Sequence, residues 1–234
     1  MSFHVGSRAV KLIDLSHVIE EDMSVFPSLP PPHIGTYFTH AESRPHYEGR
    51  ACFEVTHMDM VTSLGTYLDA PYHRHPGGAT IDQLALGQCV LSGVVVDVRG
   101  KGPREPIRDM DLPQAHLCGG AALFCTGWDR YWKQPLYHQH PFLCAEAVEA
   151  LVEQAPSLVG IDVLNIDDPQ DKSRPAHTQL LAHDILIAEN LCGLEQLIGG
   201  SFLFVAAPVK VRGAAAFPVR AFALLGLGSG GVET

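Results

Sequence analysis

The stretch Ser63-Leu64-Gly65-Thr66-Tyr67-Leu68-Asp69-Ala70-Pro71-Tyr72-His73 gathers hydroxyls, a carboxylate and an imidazole around one glycine and one proline. A glycine lets the backbone turn or come close to a ligand. A proline fixes its own φ and limits the residue before it. A short, stiff, polar loop of this kind fills a core poorly and holds reactive groups well. Asp69 and His73 stand four residues apart across Pro71, so one turn can aim both inward. A carboxylate beside an imidazole binds a divalent metal or moves protons. The plainer alternative is an Asp that caps a turn and a His at the surface.

A second pair, His177 and Glu189, lies twelve residues apart (189 − 177 = 12). It flanks a predicted short helix over residues 178–183 and a predicted strand over residues 185–188. A His entering a helix and a Glu leaving a strand can point at one sheet edge. Glu189 closes an apolar run, so its base is expected to be partly buried. A buried carboxylate without a partner is expensive, which calls for a metal or a hydrogen-bond donor. An Arg or backbone donors would serve equally well. His183 reads as structural. A third group, Asp162, Asn165, Asp167 and Asp168, follows an apolar strand. Loops after strands line clefts in α/β folds, but these residues are read first as solvated turn formers. Trp128 also follows a strand and is expected either to wall a pocket or to fill core.

Working outward, apolar runs predict strands at residues 10–15, 52–60, 94–98, 121–125, 158–161, 202–207 and 221–225. Near-continuous apolar strands suit a sheet covered on both faces. Helical spacing of Ala147, Val148, Leu151 and Val152 predicts a helix within residues 141–154, with Pro141 near its start. Residues 26–33 are proline-rich and read as loop. Strands alternating with a few helices predict an α/β fold with a mixed sheet, in one domain over residues 1–234.

Formal net charge is −10 with no run of Lys and Arg, which argues against nucleic-acid binding. No apolar run is long enough for a bilayer span, and residues 1–19 lack the apolar centre of a signal peptide. The six cysteines are scattered without a CxxC pair, which fits buried thiols in a reducing cytoplasm. Charged residues make up only 18% of the chain, which favours a homo-oligomer, since interface cores are depleted in charge. There is no P-loop, no GxSxG elbow, and the glycines at 226, 228, 230 and 231 open no helix.

Taken in order, these residues resemble the cyclase-like metal-dependent hydrolases, the family that includes bacterial kynurenine formamidase and isatin hydrolase. Gly65-Thr66-Tyr67-Leu68-Asp69-Ala70-Pro71-Tyr72-His73 is similar to the family signature HxGTHxDxPxH. Ile13-Asp14-Leu15-Ser16-His17 with Val25-Phe26-Pro27, Thr126-Gly127-Trp128, Gly160-Ile161-Asp162, the stretch from His177 to Glu189-Asn190-Leu191, and Pro218-Val219-Arg220-Ala221 follow in family order. The resemblance implies a swivelling β/β/α domain with a mixed, partly barrel-like sheet. It implies Asp69, His177 and Glu189 as metal ligands and His73 as the acid–base group. Ser63 and Tyr67 occupy the places of two ligating histidines, so one ion (Zn, Mn or Mg) is expected rather than two. His57 stands at the wrong offset to replace them.

Three functions compete at this stage. The first is hydrolysis of a small amide, lactam or ester by a metal-activated water, with Tyr67 bonding the oxyanion and Ser63 and Trp128 contacting substrate. The second is a metal-independent lyase, dehydratase or ring-closing enzyme. Tyr67 would be its acid and His73, oriented by Asp69, its base. The third is a binding protein that kept the fold and lost catalysis. A dimer or tetramer acting on a small molecule completes the expectation.

Overall fold

The computed structural model describes residues 2–5, 8–23, 26–113 and 117–226. Val25, Gly228, Gly230 and Gly231, named above, lie outside them. The strands are β1 (Ser2–Val5), β2 (Arg8–Asp14), β3 (His33–Phe38), β4 (Val55–Asp59), β5 (Tyr67–Asp69), β6 (Val90–Asp97) and β7 (Pro106–Ile107). They continue as β8 (Ala121–Cys125), β9 (Phe142–Leu143), β10 (Leu158–Ile161), β11 (Leu186–Glu189), β12 (Phe202–Val205), β13 (Ala216–Pro218) and β14 (Phe222–Leu225). The helices are α1 (His40–Ser43), α2 (Ala145–Gln154) and α3 (Pro175–Ala182), with short 3-10 turns between elements.

One mixed sheet of ten strands runs in the order β1-β2-β14-β12-β6-β8-β10-β11-β5-β13. Its centre, β6-β8-β10-β11, is parallel. The flanks are antiparallel. Apolar side chains fill both faces, as the near-continuous hydrophobic runs required. Phe124, Val159, Ile161 and Ile187 pack under α2 and α3 through Leu151 and Leu180. Leu68, Leu123, Leu186, Ala188 and Phe204 build a second core on the opposite face. The sheet curls around that second core until the end of β2 meets the chain after β11. Ser16 there bridges Leu191, and the Cys192 amide donates to the Leu15 carbonyl at 3.1 Å. The expected α/β class and partly barrel-like sheet are both present.

Two glycines stand where a side chain would bring a clash or strain. A Cβ on Gly93 would come within 2.1 Å of the Phe202 ring, which lies across it from β12. Gly65 has a φ of +62°, the left-handed region that favours glycine.

Several boundaries moved. The helix predicted from Pro141 begins at Ala145, because residues 142–143 first pair in parallel with β7. The second helix starts at Pro175, so His177 lies inside it rather than ahead of it. Residues 33–38, whose first residue closed the predicted loop, form β3, the partner of β4. That two-stranded hairpin belongs to no larger sheet, and every residue of β4 is exposed.

His140 is 1% exposed and donates from Nδ1 to the Pro141 carbonyl at 2.9 Å, while its Nε2 has no partner. Burial lowers its pKa to about 4 from the ordinary 6.5. A histidine lowered in the folded state stabilises above its unfolded pKa, and that contribution is lost as pH falls through the folded one. It amounts to roughly 3 kcal/mol at 1.36 kcal/mol per pKa unit. Urea unfolding at a series of pH values is expected to show a midpoint that falls from pH 6.5 to about 4. His140→Gln should flatten part of that fall; a midpoint profile identical to the parent would contradict the assignment.

Candidate functional site

Strand alternation builds the site. Residues two apart share a sheet face, so Tyr67 and Asp69 point the same way and Leu68 the other. The antiparallel register sets Tyr67 opposite Glu189 and Asp69 opposite Ile187. Ile187 packs in the helix-side core and Leu68 in the other, so Tyr67, Asp69 and Glu189 all face α3. The 3-10 turn Pro71–His73 then folds His73 back, its amide donating to the Ala70 carbonyl at 2.8 Å.

His177 arrives from α3, 104 residues later in the chain than His73. Asp167 fixes it. The Asp167 carboxylate accepts from the Ala176 amide at 2.7 Å, the His177 amide at 3.1 Å and His177 Nδ1 at 2.6 Å. It therefore caps the helix N-terminus and chooses the ring tautomer together. His177 Nε2 is left facing Asp69 Oδ2 at 3.7 Å and Glu189 Oε1 at 3.6 Å. His73 Nδ1 lies 3.4 Å from Asp69 Oδ1. One ligand atom each from Asp69, His73 and His177 fall within 4.8 Å of one another.

Asp69 is completely buried, and neither of its carboxylate oxygens has a hydrogen-bond partner. Buried polar groups are almost always paired, and buried charges are paired or bind metals. Two imidazoles and one carboxylate are a donor set that holds Zn²⁺ with a fourth position open. The residues present thus fit a single divalent ion, and Asp167 behind His177 is the usual carboxylate support for a ligating imidazole.

Glu189 has protein donors of its own. Its Oε1 accepts from the Ile166 amide at 2.6 Å, and its Oε2 accepts from the Tyr67 hydroxyl. Each oxygen thus has one protein donor, and Oε1 also lies 3.6 Å from His177 Nε2, while the grouped atoms around the unsatisfied carboxylate are those of Asp69, His73 and His177. Burial, then the charge of Asp69, raises the Glu189 pKa against the pull of His177. Tyr67 is held well above the usual phenol range by burial and then by the Glu189 and Asp69 charges, so it stays protonated. Burial would lower His177, but Glu189, Asp167 and Asp69 outweigh it and hold the ring up at about 10.

These groups open on a cavity of about 260 Å³, lined in part by Phe26, Ser63, Tyr67, His73, Arg174 and His177. Trp128 does not reach it. Trp128 is 2% exposed and packs edge-on against Tyr131, so its expected substrate contact is corrected to core. The solvated-turn reading of the third acidic group also fails. Asp162, Asn165 and Asp167 are buried. Asp162 accepts from the Thr126 hydroxyl and from the Thr126 and Gly127 amides. Only Asp168 faces solvent in part, paired with Arg104 at 2.7 Å. His57 lies on the exposed hairpin, and His183 is exposed with Nδ1 on the Gln179 carbonyl. Asp167 and Arg174 were the residues missed or undervalued. The sequence marked Asp167 only as one of several acids after a strand, and nothing in it singled out Arg174.

The chain matches the Cyclase family model, described as "Putative cyclase", over residues 13–168. It therefore belongs to that family. Among curated proteins it is 28% identical to kynurenine formamidase from Bacillus cytotoxicus over 214 residues, covering 92% of this chain and 97% of that one. Kynurenine formamidase from Bacillus mycoides is also 28% identical, over 89% of this chain and 95% of that one. Among solved structures, a "predicted metal-dependent hydrolase" from Bacillus stearothermophilus superposes with a TM-score of 0.75 at 26% identity, over 92% of this chain and 98% of that one. Isatin hydrolase A from Ralstonia solanacearum shares the fold, with a TM-score of 0.81 at 22% identity over 92% of each chain.

If Asp167 supports a ligating His177, Asp167→Asn should weaken Zn²⁺ affinity by about 10–100-fold while leaving every ligand in place. Competition with a chelating dye measures this; an unchanged affinity would leave Asp167 as a helix cap only.

Proposed function

We propose that this protein hydrolyses a small amide, using one divalent ion held by Asp69, His73 and His177. The observation that carries the reading is the buried Asp69 carboxylate, unpartnered and flanked by two imidazoles. The likeness to kynurenine formamidases, and to a protein described as a metal-dependent hydrolase, supports amide hydrolysis over the lyase alternative. Retention of four buried ionisable groups argues against a binding protein, since a spent site has no reason to keep their cost.

An ion in this position acts as a Lewis acid and lowers the pKa of bound water toward neutrality. The chain's own groups supply the rest. Asp167 holds His177 Nδ1, which orients the ring so that Nε2 faces Asp69 and would be the ligating nitrogen once an ion displaces its proton. Glu189 would take the attacking water's proton through the cavity-lining Tyr67 hydroxyl, which passes its own proton to Glu189 as it receives the water's. Tyr67, which lines the cavity and hydrogen-bonds Glu189, returns a proton to the leaving nitrogen, as Glu189 reprotonates the Tyr67 oxygen. Ser63, at the cavity wall, is available to bond the substrate. A second reading keeps His73 as the acid–base group, favoured by its 33% side-chain exposure beside a buried Asp69. His73→Ala separates the two: loss of metal supports a ligand, and retained metal with lost turnover supports a shuttle.

We also infer one domain, a cytoplasmic location and a homo-oligomer. All six cysteines are free, which fits a reducing compartment. No helix among the described residues is long and apolar enough to cross a membrane. The β3–β4 hairpin exposes Tyr37, Val55 and Met58, and an isolated two-stranded hairpin is marginally stable in water. A second copy packed on it would cover that surface. Light scattering coupled to size exclusion is expected to give a dimer or larger, and Met58→Lys with Val55→Lys to shift it toward monomer. A monomeric parent protein would refute the interface.

For the chemistry, Tyr67→Phe is expected to lower kcat on a formanilide substrate by about 100-fold or more, the usual worth of a positioned proton donor. Metal content, read by mass spectrometry, should stay unchanged. Parent-like turnover in Tyr67→Phe would exclude the Tyr67–Glu189 relay.

A further inference from the structure

Arg174 stands at the mouth of α3 in the left-handed region, with φ 51° and ψ 61°. A bulky residue there carries backbone strain, and such strain persists where the surroundings hold it. Two contacts hold it. The guanidinium carbon lies 5.9 Å above the Phe26 ring, and Nε is 3.6 Å from Asp167 Oδ2. Neither is a hydrogen bond. The side chain is only 20% exposed and lines the same cavity as His73 and Tyr67. Among the described residues, no protein group accepts a hydrogen bond from its guanidinium. A largely buried guanidinium has five N–H donors to satisfy, and leaving them unmet is costly.

We infer that Arg174 binds a carboxylate on the substrate, separate from the amide that is cleaved. This rests on the amide-hydrolase reading of the cavity. A planar guanidinium fork matches a carboxylate through two parallel hydrogen bonds. A dianionic phosphate fits less well, because Asp69, Asp167 and Glu189 already crowd the site with negative charge. Phe26 beneath the guanidinium offers an apolar face for the ring or chain that carries the carboxylate. The cavity of about 260 Å³ holds roughly nine water volumes at about 30 Å³ each, which suits a single ring with short substituents. The substrate class is thus a small amide acid rather than a neutral amide.

The test uses the metal-loaded protein with N-formylanthranilate and its neutral counterpart formanilide. The parent protein should prefer the acid, and Arg174→Gln should raise KM for the acid by about ten-fold or more, the worth of one charge-assisted hydrogen bond. Its kinetics on formanilide should change far less than on the acid, because formanilide offers no carboxylate for the guanidinium to bind. Arg174→Lys, which keeps the charge but loses the fork, should fall between them. Calorimetric binding of benzoate and benzamide provides a readout independent of turnover. Benzoate should lose about ten-fold in affinity in Arg174→Gln while benzamide does not change. Equal losses for acid and neutral probes, or no preference for benzoate in the parent, would overturn the inference. If neither formyl compound is hydrolysed and benzoate binding still depends on Arg174, the hydrolase reading fails and the carboxylate site stands.

Discussion

A carboxylate sealed from water with nothing to bond is the constraint around which this site is organised. Asp69 sits at the end of β5, fully buried, with Asp167 and Glu189 also buried around His177. Taking an ionised carboxylate out of water costs several kcal/mol unless a cation and hydrogen bonds replace the water. Asp167 is replaced generously, by three N–H donors. Glu189 receives one amide and one hydroxyl. Asp69 receives none and has only two imidazoles in range. The distribution is uneven in a way that a protein built only for stability would not keep, and it leaves one place for a cation.

Tyr67 sets this site apart from the signature it resembles. In the resembled signature its position belongs to a histidine, as does that of Ser63. The register of β5 against β11 puts residue 67 directly opposite Glu189, where side chains are nearest neighbours. A phenol there donates to the acid. The same substitution that deletes one imidazole thus also commits a carboxylate. Among the described residues, the ligand atoms grouped closely enough to hold an ion are those of Asp69, His73 and His177.

Much of this was legible in the order of residues. The central strands announced themselves as apolar runs because both sheet faces are covered. Asp69, His73, His177 and Glu189 were marked by reactive side chains in stiff or apolar settings, and all four converge. Other parts were silent for physical reasons. β3 escaped notice because a solvent-exposed hairpin carries no apolar alternation; residues 33–38 are half exposed and follow a proline-rich stretch. Asp162 and Asp167 read as solvated because an isolated Asp gives no hint of burial; only the fold supplies the amides that satisfy them. Whether Glu189 ligates or accepts from Tyr67 depends on a strand register that local sequence does not encode. Trp128 could be read as pocket or core, and the packing of Tyr131 against it decides for core.

X-ray absorption at the zinc edge of the zinc-loaded protein examines the central claim most directly. The account predicts one ion per chain with two imidazole nitrogens and a carboxylate oxygen at about 2.0–2.2 Å, plus one light ligand from solvent. A shell containing sulfur, a shell with no imidazole scattering, or two ions per chain would contradict it.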